Sequence, residues 1–191
     1  MAVMASLKPK EKQFLFTLAR QAINQGLEGE FKLPVITDIP YRSLKVDQAT
    51  FVTLTINSQL RGCIGHLEAI QSLYLDVYEN ASAAAFKDYR FNPVTRPEFS
   101  QLNIEISILS APVPIKAKTP DEKLKAITPH AHGLILELQG RRSTFLPQVW
   151  EDLPIKEEFL AHLSQKALLT SDAWQNPQAK LSTYTVKILR E

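Results

Sequence analysis

Between Thr50 and Ile56 the chain alternates strictly, with Val52, Leu54 and Ile56 on one side and Phe51, Thr53 and Thr55 on the other. A period of two in β-branched and aromatic residues specifies a half-buried strand, because successive side chains leave a pleated strand on opposite faces. The same period returns where Leu102, Ile104, Ile106 and Ile108 alternate with Asn103, Glu105, Ser107 and Leu109, and again from Leu134 to Leu138. Between these stretches the apolar spacing becomes helical. The pattern therefore predicts an α+β fold, a mixed and largely antiparallel curved sheet with flanking helices.

Phe14, Leu15, Leu18, Ala19, Ala22 and Ile23 predict a helix over roughly Lys10 to Asn24, with Gly26 at its C-terminus as a residue tolerant of positive φ. Asn57-Ser58-Gln59 offers turn chemistry, so Leu60 to Gly65 reads as the returning arm of a hairpin. Ser72 is placed to cap a helix to Phe86 whose stripe of Leu73, Val77, Ala81, Ala84 and Ala85 lets a backbone pack close to a sheet. Thr119-Pro120-Asp121-Glu122 opens a short helix. Gln139-Gly140-Arg141 turns a second hairpin, Phe159 to Leu168 is helical, and Tyr184, Val186 and Ile188 suggest a closing strand. The order hairpin, helix, strand thus occurs twice, at Thr50 to Leu109 and Leu134 to Leu189, and is consistent with two repeats sharing one core. No low-complexity linker divides them, which favours a single domain over 1–191, with room for a smaller subdomain.

Composition excludes several classes. Hydrophobic residues at 45% and charged residues at 22% are those of a folding globular chain. A net charge of +2 supplies little attraction to phosphate backbones or anionic membranes. The single Cys63 allows no intramolecular disulfide and no cysteine-rich zinc module, which fits a reducing, cytoplasmic setting. The Met1 to Ala5 run lacks a basic lead and meets Lys8, Pro9, Lys10 and Glu11 at once, unlike a secretory signal. No apolar run approaches the roughly 18 residues of a membrane span.

Leu60-Arg61-Gly62-Cys63-Ile64-Gly65 resembles the signature of the AMMECR-type domain family. Glu79-Asn80-Ala81, Ala84-Ala85-Phe86, Asp88 with Arg90-Phe91 and Pro93, Glu105-Ile106-Ser107, His132-Gly133-Leu134 and Thr144-Phe145-Leu146-Pro147-Gln148-Val149 are similar to further family blocks in the same order. Phe159-Leu160 and Lys166-Ala167 resemble a last one. The resemblance implies no agreed activity, but it does imply partners. Prokaryotic members resemble protein A of the AmmeMemoRadiSam system, beside a Memo-like protein and a radical S-adenosylmethionine enzyme. One cysteine cannot supply the three-cysteine cluster motif of that enzyme.

Cys63 is the sharpest candidate for chemistry. Glycines flank it, and strand alternation places Arg61 on its face, where a cation favours a thiolate. The competing reading is a buried structural cysteine, with Gly62 and Gly65 serving a bend or close packing. Arg61 suits a carboxylate or phosphate ligand, or a structural pair with Glu105 or Asp88. Glu105, set in an apolar strand, is the candidate acid or base. Gly62, Gly65, His132, Asp88 and Arg90 complete the expected binding set, with Asn80 and Gln148 as further donors. His130 and His132, with His66, Cys63 or Glu105, have only poor metal-site spacing. The expected activity is a small-molecule or modified-residue site, binding or catalytic. A protein adaptor would instead present the signature as an apolar docking patch, and a nucleic-acid regulator would need a basic face the charge balance disfavours.

Overall fold

In the computed structural model, residues 7–30, 32–33, 39–117 and 119–191 are described, so the Met1 to Ala5 run lies outside them. In chain order the elements are α1 (Pro9–Leu27), β1 (Thr50–Ile56), β2 (Gln59–Gly65), α2 (Leu73–Phe86), α3 (Arg96–Phe99), β3 (Asn103–Leu109), β4 (Val113–Pro114), α4 (Pro120–Ala126), β5 (Gly133–Leu138), β6 (Arg141–Phe145), α5 (Lys156–Lys166), β7 (Lys180–Tyr184) and β8 (Val186–Arg190). They form two compact units, one running to Leu109 and completed by Lys187–Glu191, the other Ser110–Val186.

The first unit holds a sheet in the order β2-β1-β3-β8. Asn57 and Ser58 adopt φ of 50° and 63°, the left-handed pair that lets a tight hairpin follow the strand twist. Val52, Leu54, Ile104 and Ile106 send their side chains into a core shared with Leu15, Ala19 and Ile23 of α1 and Val77, Ala81 and Ala84 of α2. The alanine stripe brings α2 against β2 so closely that a Cβ on Gly62 would lie 2.1 Å from the Ala84 carbonyl oxygen. Gly26 differs from expectation. It lies inside α1, where a Cβ would meet the Phe86 ring at 2.2 Å, while the positive φ of 74° falls at Gly29. Packing, not helix termination, requires the absence of a side chain there.

The second unit has a sheet in the order β4-β7-β5-β6. Gln139 and Gly140, at φ of 53° and 72°, close its hairpin. Leu134, Leu136 and Leu181 pack with Phe159, Leu160, Leu163 and Trp150, and the Trp150 and Phe159 rings stack at 3.7 Å with 12° between their planes. Both units place the strand that follows the helix beside the first strand of the hairpin, giving β2-β1-β3 and β6-β5-β7. The hairpin, helix, strand order read from the sequence is therefore an arrangement in space as well.

The closing strand is two strands. β7 belongs to the second sheet and β8 to the first. The ladder breaks at Thr185, whose carbonyl accepts from the Ser110 amide at 2.9 Å and whose own amide donates to Ser110 Oγ at 3.0 Å. A main-chain group engaged by a loop residue cannot continue a strand ladder. No described helix is long and apolar enough to cross a membrane.

Candidate functional site

The signature occupies β2, which among the described residues lies at one end of its sheet and pairs with β1 alone. Cys63 stands opposite Thr53, and Thr53 stands opposite Glu105 of β3, so these three side chains form a row across adjacent strands. Thr53 Oγ1 donates to Cys63 Sγ at 3.2 Å. Burial pushes the Cys63 thiol up, the Thr53 hydroxyl and the nearby Arg90 oppose this, and Asp88 and Glu105 add to the rise. The thiol is therefore neutral near pH 7, and a resting thiolate is not what this environment favours. Glu105 is joined to Arg190 at 3.0 Å across the mostly exposed guanidinium of that residue.

Arg61 pairs with neither Glu105 nor Asp88. The ladder shifts register between Leu54 and Thr55, opposite Arg61, and the guanidinium meets Glu98 of α3 in a two-pronged bridge, Nε to Oε1 at 2.8 Å and Nη2 to Oε2 at 3.1 Å. The Arg61 hydrogen bonds, helped by the Thr95 amide, hold the Glu98 carboxyl at about 2. Arg61 Nη1 is buried with no partner among the described residues.

Asp88 and Arg90 are brought to Cys63 through its main chain. Asp88 Oδ2 accepts the Cys63 amide at 2.9 Å, and Arg90 Nη2 donates to the Cys63 carbonyl at 3.4 Å. Arg90 also grips both oxygens of Asp88, at 2.9 and 2.7 Å, which keeps that carboxyl well below the usual carboxylate range. The space beside the two glycines is already filled, by Ala84 at Gly62 and by Thr50 and Phe51 at Gly65.

Alternation along β2 turns Ile64 to the α2 side, away from the sulfur. There a cleft of about 410 Å³ opens between the end of the signature and α2, with Ile64, His66, Glu79, Asn80, Ala83 and Lys87 on its walls. His66 and Asp76 are the residues that the sequence reading missed as a pair. Asp76 is fully buried, and its Oδ1 lies 2.6 Å from His66 Nδ1 and accepts from Gln71 Nε2 at 3.2 Å. Its Oδ2 accepts from the Thr50 amide at 2.8 Å, the Thr50 hydroxyl at 2.6 Å and Asn80 Nδ2 at 2.9 Å. A carboxylate this deep is tolerable only when its lone pairs are all engaged. The available signal was Asp76 and Asn80, four residues apart and bordering the apolar stripe of α2, where two polar side chains on a buried face need a purpose.

His132 belongs to the second unit, where its Nδ1 accepts from the Thr128 amide at 3.1 Å, its carbonyl accepts from Trp150 Nε1 at 2.7 Å, and burial lowers its pKa. Neighbouring His130 has φ of 62° and is exposed, so the two do not share a strand face. Gln148 lies in a 3-10 turn, Pro147–Glu151, with Oε1 buried and unpartnered among the described residues. No described group of three His, Cys, Asp or Glu side chains is placed to hold a metal ion.

Two antiparallel four-stranded sheets that share the order of three of their strands, with a glycine-spaced signature strand clamped by Asp88 and Arg90, define an α+β class of protein. The AMMECR1 family model matches residues 16–189, and the chain belongs to that family. A protein of Methanothermobacter thermautotrophicus is 33% identical over 192 residues, covering 98% of this chain and 97% of its own. One from Methanopyrus kandleri is 34% identical, covering 95% and 89%. The crystal structure of an uncharacterised protein from Pyrococcus horikoshii is similar at a TM-score of 0.86 and 33% identity, covering 97% of this chain and 93% of its own.

Proposed function

We propose that the chain binds a small molecule or a modified residue on the α2 side of Leu60-Arg61-Gly62-Cys63-Ile64-Gly65, as a binding or catalytic component acting with a Memo-like protein and a radical S-adenosylmethionine enzyme. The partners rest on the family resemblance, and the site rests on one observation. The signature ends in the wall of a cleft of about 410 Å³, the size of a pocket for a small ligand. In this reading Gly62 and Gly65 allow β2 to sit tightly between α2 and β1, Arg61 anchors the strand to α3, and Asp88 and Arg90 fix its main chain. Cys63 acts as part of that frame rather than as a thiolate, and Glu105 lies in the row of side chains on the opposite face.

The test is methyl NMR of protein labelled at isoleucine and alanine, titrated with a fragment set of carboxylates, amines and neutral heteroaromatics. Ile64 and Ala83 are expected to shift together at the lowest fragment concentrations, and Ala83→Trp, which fills the cleft, is expected to abolish the response. Fragments that bind while moving only other methyls would remove the cleft from consideration.

A further inference from the structure

We infer that His66 Nε2 is the proton acceptor of this cleft, oriented by Asp76, and that the ligand presents a hydroxyl, thiol or ammonium proton to it. The inference rests on the proposed ligand site and adds a chemical role to it. Neutral imidazole in water favours the tautomer with the proton on Nε2, whose lone pair is then on Nδ1. In this protein Nδ1 faces a buried carboxylate oxygen at 2.6 Å that has only acceptor capacity, so the proton is drawn to Nδ1. The lone pair is thereby moved to Nε2. That nitrogen has no protein partner among the described residues, and the ring, 38% exposed, lines the cleft.

The support behind the ring is rigid. Asp76 is held by four donor atoms besides His66, from Thr50, Gln71 and Asn80, and the His66 amide donates to the Thr50 carbonyl at 2.9 Å. A carboxylate that turns and stabilises an imidazole through Nδ1 is the arrangement that general-base histidines use. When the ligand's proton moves to Nε2, its electron pair stays on the ligand heteroatom and the ring becomes imidazolium. The new positive charge then lies against the buried Asp76 carboxylate. Asp76 is a positioning residue in this scheme and does not take the proton.

His132 shows the opposite wiring, since its Nδ1 accepts from an amide and its neutral ring must carry the proton on Nε2. The molecule thus contains its own reference. Of the charged side chains, Asp76 contacts the His66 ring, Glu79, which accepts from Gln71, and Lys87 line the cleft with it, and Glu68 follows two residues along the chain.

The experiment is nitrogen-15 NMR of the histidine rings in the intact chain, combined with site-resolved diethyl pyrocarbonate modification, which attacks an imidazole lone pair. In wild type, His66 is expected as the Nδ1–H tautomer and His132 as Nε2–H, with His66 modified at Nε2 faster than the exposed His130 and His162. Asp76→Asn is expected to mix the His66 tautomers and slow its modification about tenfold, the worth of one charge-assisted hydrogen bond. His66→Gln removes the signal and identifies it. An Nε2–H tautomer in wild-type His66, or a modification rate no greater than that of His130, overturns the inference. Because Asp76 also holds Thr50 and Asn80, the wild-type spectra decide the matter even where the variant does not fold. The fragment titration at Ile64 and Ala83 is independent, so a cleft that binds fragments beside the wrong tautomer would retire the proton acceptor and keep the binding site.

Discussion

Gly62→Ala is the substitution whose cost the structure states most directly. Its new Cβ would lie 2.1 Å from the Ala84 carbonyl oxygen and 3.0 Å from the carbonyl carbon. Carbon and oxygen rest at about 3.3 Å or more, so β2 and α2 must part by roughly an ångström. Both sides of that contact are main chain, and no rotamer change relieves it. A gap of that size forfeits a quarter to a half of each dispersion contact along the seam, and overpacking in a core costs about 1–3 kcal/mol. Restricting the unfolded chain returns about 0.4–1 kcal/mol. A net loss of about 2 kcal/mol is expected, localised to α2. Hydrogen exchange read by mass spectrometry on peptides from Leu73 to Phe86 should show protection falling about 30-fold, at 1.36 kcal/mol for each factor of ten. Gly140→Ala is the control. Nothing lies within 4 Å of its Cβ, its φ is +72°, and its cost of about 1–2 kcal/mol comes from left-handed strain in the second unit. Unchanged exchange in α2 for Gly62→Ala would refute the claim that close backbone packing is what the signature glycine serves.

Glu98→Gln should destabilise the chain at pH 7 by about 1–3 kcal/mol, since it leaves the half-buried Arg61 guanidinium without its carboxylate. The folded Glu98 carboxyl is held at about 2 against an ordinary 4.5, so the stability it contributes is present above pH 4.5 and lost as pH falls through about 2. Urea unfolding at a series of pH values should show the gap between wild type and variant closing over that window, and a gap of constant size down to pH 2 would contradict the bridge. Iodoacetamide labelling of Cys63 is expected only above the ordinary thiol value of about 8.5, because burial raises this thiol, and Arg61→Ala should leave the profile in place. Half-maximal labelling below pH 8 would show that the site stabilises a thiolate.

Period-two alternation made β1, β3 and β5 readable, and the Asn57-Ser58 and Gln139-Gly140 turns fixed where the chain doubles back. Alanine spacing in α2 correctly announced close packing on the sheet. The assignment of β7 and β8 to different sheets was hidden, because Tyr184, Val186 and Ile188 keep one uniform alternation while the break at Thr185 is made by Ser110, 75 residues away. The partners of Arg61 and Glu105 were hidden for a similar reason. Glu98 and Arg190 come from other elements, and a strand's own pattern carries no information about which charge is folded onto it. The His66–Asp76 pair spans ten residues across the β2–α2 connection. His66 was read only as a metal candidate because a lone histidine just past a strand has no periodicity to mark it.

The clamp on Cys63 has a further consequence for how molecules of this protein behave toward one another. A terminal strand of a sheet offers an outward amide and an outward carbonyl on alternate residues, and at Cys63 both are already taken by Asp88 and Arg90. The ion pair imitates the hydrogen bonding of a neighbouring strand and presents charge where a stranger's backbone would need to dock. At Cys63 the rim of the described sheet therefore holds out no free main-chain group for an incoming strand.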